Sequence, residues 1–219
     1  MFRVKICGVT RPTDAVLAAD SGADAIGLNF YAKSKRFVPA SEASPIVNAV
    51  RGRVTCVGVF VNESPRRVLE IAESVGLDAI QLHGDEPAAT LAEFGATPLV
   101  RARRLGPGGL AELAGDLTAC RDAADNVAAL LVDAPAAEGY GGTGHTFEWQ
   151  AIQGHGPVID CPLILAGGLK PENVAEAIGV VQPHGVDVAS GVESSPGIKD
   201  AVKTEAFIRN ALTALDRIG

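Results

Sequence analysis

The sequence predicts an α/β protein closed into one (β/α)8 TIM barrel spanning residues 1–219, and three observations predict it. Short β-branched runs alternate with Ala-rich helical stretches along the chain, without a Pro/Ser-rich linker or a shift in composition. The segments "SGADAIG" and "SVGLDAI" resemble one another, each closing a helix on a glycine with a strand within four residues, as a repeated βα unit requires. Dividing 219 residues among eight units leaves about 27 each, near the lower end for such a barrel. A doubly wound open sheet shows the same alternation, but the first βα turn, "ICGVTRP", lacks the G-x-G-x-x-G spacing of a dinucleotide crevice.

Taken in order, the first strand is expected over Arg3 to Cys7 and the first helix over Thr13 to Ser21, stopped by Gly22. Strands follow at Ala25 to Phe30, Val54 to Phe60 and Ala79 to Leu82, separated by helices over Ser41 to Val50 and Ser64 to Val75. Ser64 before Pro65 is a helix start, and Gly76 a stop. The second half reads as a helix at Glu86 to Phe94, a strand at Pro98 to Ala102, a helix at Leu110 to Asp122 and a strand at Ala128 to Asp133. Helices at Phe147 to Gln153, Pro171 to Ile178 and Lys199 to Ile218 then alternate with strands at Pro162 to Ala166 and Val186 to Ser190. Pro171 is expected at a first helical position.

Hydrophobic residues make up 47% of the chain, with mean hydropathy +0.20, enough for one sizeable core. The net charge of −7 and the absence of a basic arm argue against nucleic acid as a partner. Arg101, Arg103 and Arg104 form the densest basic stretch, expected to be a solvated or loop cluster. The four cysteines, Cys7, Cys56, Cys120 and Cys161, lack CxxC or Cys/His spacing and read as reduced thiols. His145, His155 and His184 are expected on the surface or in loops rather than at a metal, and no metal site is expected. No apolar run reaches the length of a membrane span, and strand character begins at Phe2. A soluble cytoplasmic protein is therefore expected.

A parallel barrel delivers the ends of all its strands to one rim. Those ends read Cys7, Asn29, Phe60, Gln81 with His83, Arg101, Asp133, Gly167 with Gly168, and Asp187 with Ser190. Gly167 and Gly168 after the seventh strand, with Ser190 and Gly191 after the eighth, form a phosphate cradle: glycines admit an anion close to backbone N–H groups. Each pair alone would be a tight turn. Cys7 and Asp133 are the acid–base candidates. Ordinary pKa values of about 8.5 for a thiol and about 3.9 for a carboxyl must converge for proton transfer near neutrality. Burial beneath an aromatic substrate would raise Asp133, and nearby cations, including the inward-pointing Lys5, would favour a Cys7 thiolate. Position alone equally allows a small buried cysteine and a loop-capping aspartate.

"KICGVT", "GADAIGLNF", "VGVFVN", "QLHGDE", "LLVDA", "GGTGHTFEW", "LAGGLKPENV" and "DVASGVESSPGIKD" occur in that order over nearly the whole chain. Together they resemble the phosphoribosylanthranilate isomerase family of tryptophan biosynthesis, a (β/α)8 barrel. The resemblance implies an Amadori rearrangement of N-(5′-phosphoribosyl)anthranilate without metal or organic cofactor, with Cys7 as general base and Asp133 as general acid. It places Arg36 at the anthranilate carboxylate, His83 and Asp187 as substrate-orienting groups, and the phosphate on Gly167, Gly168, Ser190 and Gly191. The chain departs from the family's usual residues at Lys35, His145, Glu148 and Ala189, which bears on binding loops more than on the acid or base. The rivals are another phosphosugar isomerase, which would commonly use paired aspartates or a lysine, and a phosphate-ligand binding barrel that needs no matched acid and base.

Overall fold

The computed structural model describes residues 1–133 and 149–218. Eight parallel strands close a barrel in sequence order, β1 pairing with β8. They are β1 (Val4–Cys7), β2 (Ala25–Asn29), β3 (Thr55–Phe60), β4 (Ala79–Leu82), β5 (Leu99–Arg104), β6 (Val127–Asp133), β7 (Leu163–Ala166) and β8 (Gly185–Val188). Around them pack α1 (Pro12–Asp20), α2 (Ala40–Val50), α3 (Pro65–Val75), α4 (Gly109–Ala123), α5 (Val174–Val181) and α6 (Ala201–Ile218). Among the described residues, no helix is long and apolar enough to cross a membrane.

Strand alternation splits the interior into two apolar clusters. Phe2, Ala25, Val57, Ala79, Val100, Ala102, Ala129, Leu131, Ile164 and Ala166 fill the barrel itself. The larger cluster, which includes Ile6, Leu28, Phe60, Leu82, Leu130, Val186 and Phe207, seals strands against helices. The inward set is dominated by Ala and Val. Its upper layer is polar: Lys5, Gln81 and Asp187 are buried inward residues of three strands.

Helix punctuation follows the sequence at α3: the Ser64 Oγ accepts from Arg67 N, and Gly76 adopts the left-handed region at φ +82°. Elsewhere the structure corrects the expectation. The helix expected from Glu86 is a 3-10 helix, Ala88–Phe94, and Glu86 lies before it with its carboxylate accepting from Asn62 N and Gly84 N. The α5 helix starts at Val174, not Pro171, since Asn173 turns back to accept from Lys170 N and donate to the Gly168 carbonyl. The eighth strand ends at Val188; Ser190 opens a short 3-10 turn, Ser190–Val192. Lys199 belongs to a hairpin, β9 (Glu193–Ser195) with β10 (Ile198–Lys199), that precedes α6. The expected Phe147 to Gln153 helix begins outside the described residues, where His145 and Glu148 also lie.

The arginine cluster is not solvated as expected. β5 runs two residues past the predicted end, and because Val100 and Ala102 point into the barrel, Arg101 between them faces the helix layer and is 1% exposed. It donates to the Glu86 carbonyl at 2.6 Å and pairs with Glu86 and Asp116, and Arg103 also pairs with Asp116. Only Arg104 of the three reaches the mouth. Phe60, expected at the rim, likewise faces outward and is buried, while Val59 lines the mouth. His155 is buried in the segment before β7, where enclosure holds its imidazole below the usual range.

Candidate active site

The C-terminal ends of the strands surround a cavity of about 610 Å³. Every site residue expected from the sequence lines it: Cys7, Arg36, His83, Asp133, Gly167, Gly168, Asp187, Ser190 and Gly191. Asn29 and Gln81, also expected at the rim as strand ends, line it too, and the structure adds Arg104 from the end of β5.

Cys7 closes β1 on its inward face, and β2 places Gly27 directly opposite. A Cβ on Gly27 would lie 2.8 Å from the Cys7 Sγ and 3.1 Å from the Lys5 Nζ, so the glycine leaves the space that thiol and ammonium occupy. Beneath the thiol, the fully buried Lys5 donates to Gln81 Oε1 and Asp187 Oδ1, both at 3.0 Å. Such a charge would be strongly unfavourable without partners, and losing one partner of a buried pair typically costs about 3–5 kcal/mol. Burial would depress the Lys5 ammonium, yet Asp187 and the thiol outweigh it and hold it above its ordinary value.

The expectation that nearby cations make Cys7 a thiolate is not met. Enclosure by the barrel pushes the Cys7 thiol up and the Asp187 carboxylate adds to this; Lys5 and Lys199 oppose them without cancelling. Burial is the larger of the two factors opposing the thiolate, and the Asp187 charge adds to it by neutralising the lysine that would otherwise serve the sulfur.

Across the mouth, Asp133 ends β6 and His83 follows β4. His83 Nε2 lies 3.7 Å from Asp133 Oδ2, beyond hydrogen-bond length, and each side chain is 31% exposed. Gln81 Nε2 is 3.4 Å from His83 Nδ1, so Gln81 stands between the Lys5 network and this more open pair.

The glycines form a shelf at the β7–β8 side. Gly167 and Gly168 hold φ of +87° and +62°, which other residues rarely adopt. Gly191 approaches the chain so closely that an added Cβ would overlap the Leu169 carbonyl oxygen. Backbone N–H groups and the Ser190 hydroxyl on such a shelf suit an anion.

One set escaped the sequence reading. Glu193 on β9 accepts from Arg36 Nε and Nη2, both at 2.7 Å, and from Lys199 Nζ at 3.0 Å. Lys199 also donates to the carbonyls of Cys7 and Ala189, at 2.6 and 3.1 Å. The available signal was the Glu–x5–Lys spacing in "ESSPGIK", read as loop and helix start rather than as a hairpin.

A closed parallel barrel with a thiol, carboxylates and a guanidinium from separate strands and loops around one mouth defines a (β/α)8-barrel enzyme. A family model of N-(5′-phosphoribosyl)anthranilate (PRA) isomerase matches residues 4–210. The Myxococcus xanthus N-(5′-phosphoribosyl)anthranilate isomerase is 45% identical over 212 residues, with 95% of each chain covered. The crystal structure of phosphoribosyl anthranilate isomerase from Thermotoga maritima superposes with a TM-score of 0.83 at 40% identity, covering 97% of this chain and all of that one. Another such isomerase, solved in complex with reduced 1-(o-carboxyphenylamino)-1-deoxyribulose 5-phosphate, superposes at 0.80 with 37% identity, again covering 97% of this chain and all of that one. The chain belongs to the N-(5′-phosphoribosyl)anthranilate isomerase family.

Proposed function

We propose that the chain converts N-(5′-phosphoribosyl)anthranilate to 1-(2-carboxyphenylamino)-1-deoxyribulose 5-phosphate in the cytoplasmic synthesis of tryptophan, by general acid–base catalysis. The observation that carries the reading is the convergence of Cys7, Asp133 and the glycine shelf on one cavity large enough for a phosphorylated sugar with an aryl substituent.

Asp133 donates a proton to the furanose ring oxygen as the C1′–O bond breaks, and the anthranilate nitrogen supplies the electron pair that makes a protonated imine. Its positive charge acidifies the C2′ hydrogen. Cys7 removes that proton, the C2′–H electrons become the C1′=C2′ bond, and an enolamine results. Tautomerisation places a proton on C1′ and leaves the ketone at C2′. The raised pKa of the Cys7 thiol suits this order: the sulfur is ionised most readily when a cation has formed above it. Arg36 meets the anthranilate carboxylate, His83 and Asp187 orient the ribose, and Gly167, Gly168, Ser190 and Gly191 hold the phosphate. Free thiols at Cys7, Cys56, Cys120 and Cys161 accord with a reducing compartment.

The test is turnover of freshly generated phosphoribosylanthranilate by purified protein in chelator-treated buffer. Consumption of substrate at an enzymatic rate is expected. A folded protein that binds phosphate ligands but leaves the substrate unchanged would overturn the reading in favour of a binding barrel.

A further inference from the structure

The Arg36 guanidinium is held by one edge. Its Nε and Nη2 donate in parallel to the two oxygens of Glu193, a side-on pairing that leaves the Nη1 end for other acceptors, and Arg36 lines the cavity. The stem of Arg36 packs so tightly over Gly8 that a Cβ there would overlap its Cδ, which fixes the arm as the carboxylate fixes the head. Glu193 itself is anchored, its side chain only 5% exposed, with Lys199 Nζ and Gly197 N donating to Oε1. All three hydrogens of the Lys199 ammonium are matched by acceptors: Glu193, the Ala189 carbonyl and the carbonyl of Cys7. One carboxylate between two cations leaves the trio with a single net positive charge beside the mouth. The trio joins the loop after β2, the backbone of the thiol-bearing residue and the turn after β8.

We propose that Glu193 is a positioning residue for recognition of the aryl carboxylate: its side-on grip aims the free end of Arg36 into the mouth, and Lys199 ties that aim to the backbone of Cys7. The proposal rests on the reading of Arg36 given above and deepens it. It explains why a carboxylate sits beside the arginine that must receive one. Without Glu193 the cavity would gain positive charge, yet the guanidinium would lose the edge that fixes its direction and would face Lys199 unscreened. A bidentate contact needs planar alignment, so lost direction outweighs added charge in a site where the acceptor must be met end-on.

The experiment measures kcat and KM of wild type and Glu193→Gln on phosphoribosylanthranilate and on N-(5′-phosphoribosyl)aniline, which lacks the carboxylate. Glu193→Gln is expected to raise KM for the anthranilate substrate by about tenfold, more than kcat falls, and to change KM for the aniline compound by less than about twofold. Equal increases on both substrates would mean a general structural role and overturn the proposal; an unchanged or lowered KM for the anthranilate substrate would overturn it as well. If Glu193→Gln does not fold, Glu193→Asp is read the same way, with a smaller rise confined to the carboxylated substrate. Wild type inert toward phosphoribosylanthranilate would instead bring down the functional reading and this inference with it.

Discussion

The two sides of the mouth differ in how tightly they are built. On the β1–β2–β8 side, the charged side chains are all paired: Lys5 with Asp187, both buried at 0% and 8% exposure, and the half-buried Arg36, 24% exposed, with the buried Glu193 at 5%. On the β4–β6 side, His83 and Asp133 stand 3.7 Å apart, each about a third exposed. A general base that must take a carbon-bound proton gains from a fixed, dry setting, because misplacement lowers the chance of reaction and water competes for the proton. A general acid must be reprotonated after each turnover, and contact with solvent supplies that proton. The difference between the two sides thus matches the two jobs assigned to them.

Apart from the thiol itself, the largest effect is expected on the open side. Asp133→Asn should lower kcat by about 10²–10⁴, because an amide cannot donate the proton that opens the ring, while KM changes little; full turnover in that variant would remove the acid from the open side. On the tight side, Gly191→Ala should push the chain off the Leu169 carbonyl and raise KM by about tenfold. An unaltered affinity for inorganic phosphate in that variant would separate the shelf from phosphate binding. The smallest effect concerns the resting thiol. With its pKa raised above the ordinary thiol range, Cys7 carries less thiolate near neutrality than a free cysteine and gains it only at higher pH. Its alkylation by iodoacetamide near neutral pH should therefore be slower than that of a free cysteine. A faster reaction would mean that Lys5 and Lys199 prevail over burial and Asp187.

Much of this was legible in the sequence, for local reasons. The barrel could be read because alternating periods and glycine stops such as Gly22 and Gly76 are written within each unit, and because strand ends must meet at one rim. Every residue given a role in the site, by position or by the resemblance, lines the cavity, as do the strand ends Asn29 and Gln81. What escaped depended on parity or on distant partners. Arg101 and Phe60 were placed at the rim as strand ends, but Val59, Val100 and Ala102 take the inward positions, so alternation turns Arg101 and Phe60 to the outward face. The effect of Asp187 on Cys7 joins opposite ends of the chain, and Arg36 meets Glu193 across 157 positions. The β9–β10 hairpin is short and polar, without a hydrophobic period to announce it.

Turnover by Cys7→Ser asks whether the thiol at the end of β1 is the base. A serine keeps the size of the site beside Gly27, so folding and binding of a product analogue should persist, while kcat should fall by about 10³ or more, an alcohol being a far poorer base near neutrality. A Cys7→Ser protein with wild-type kcat would contradict the account and move the base elsewhere in the mouth.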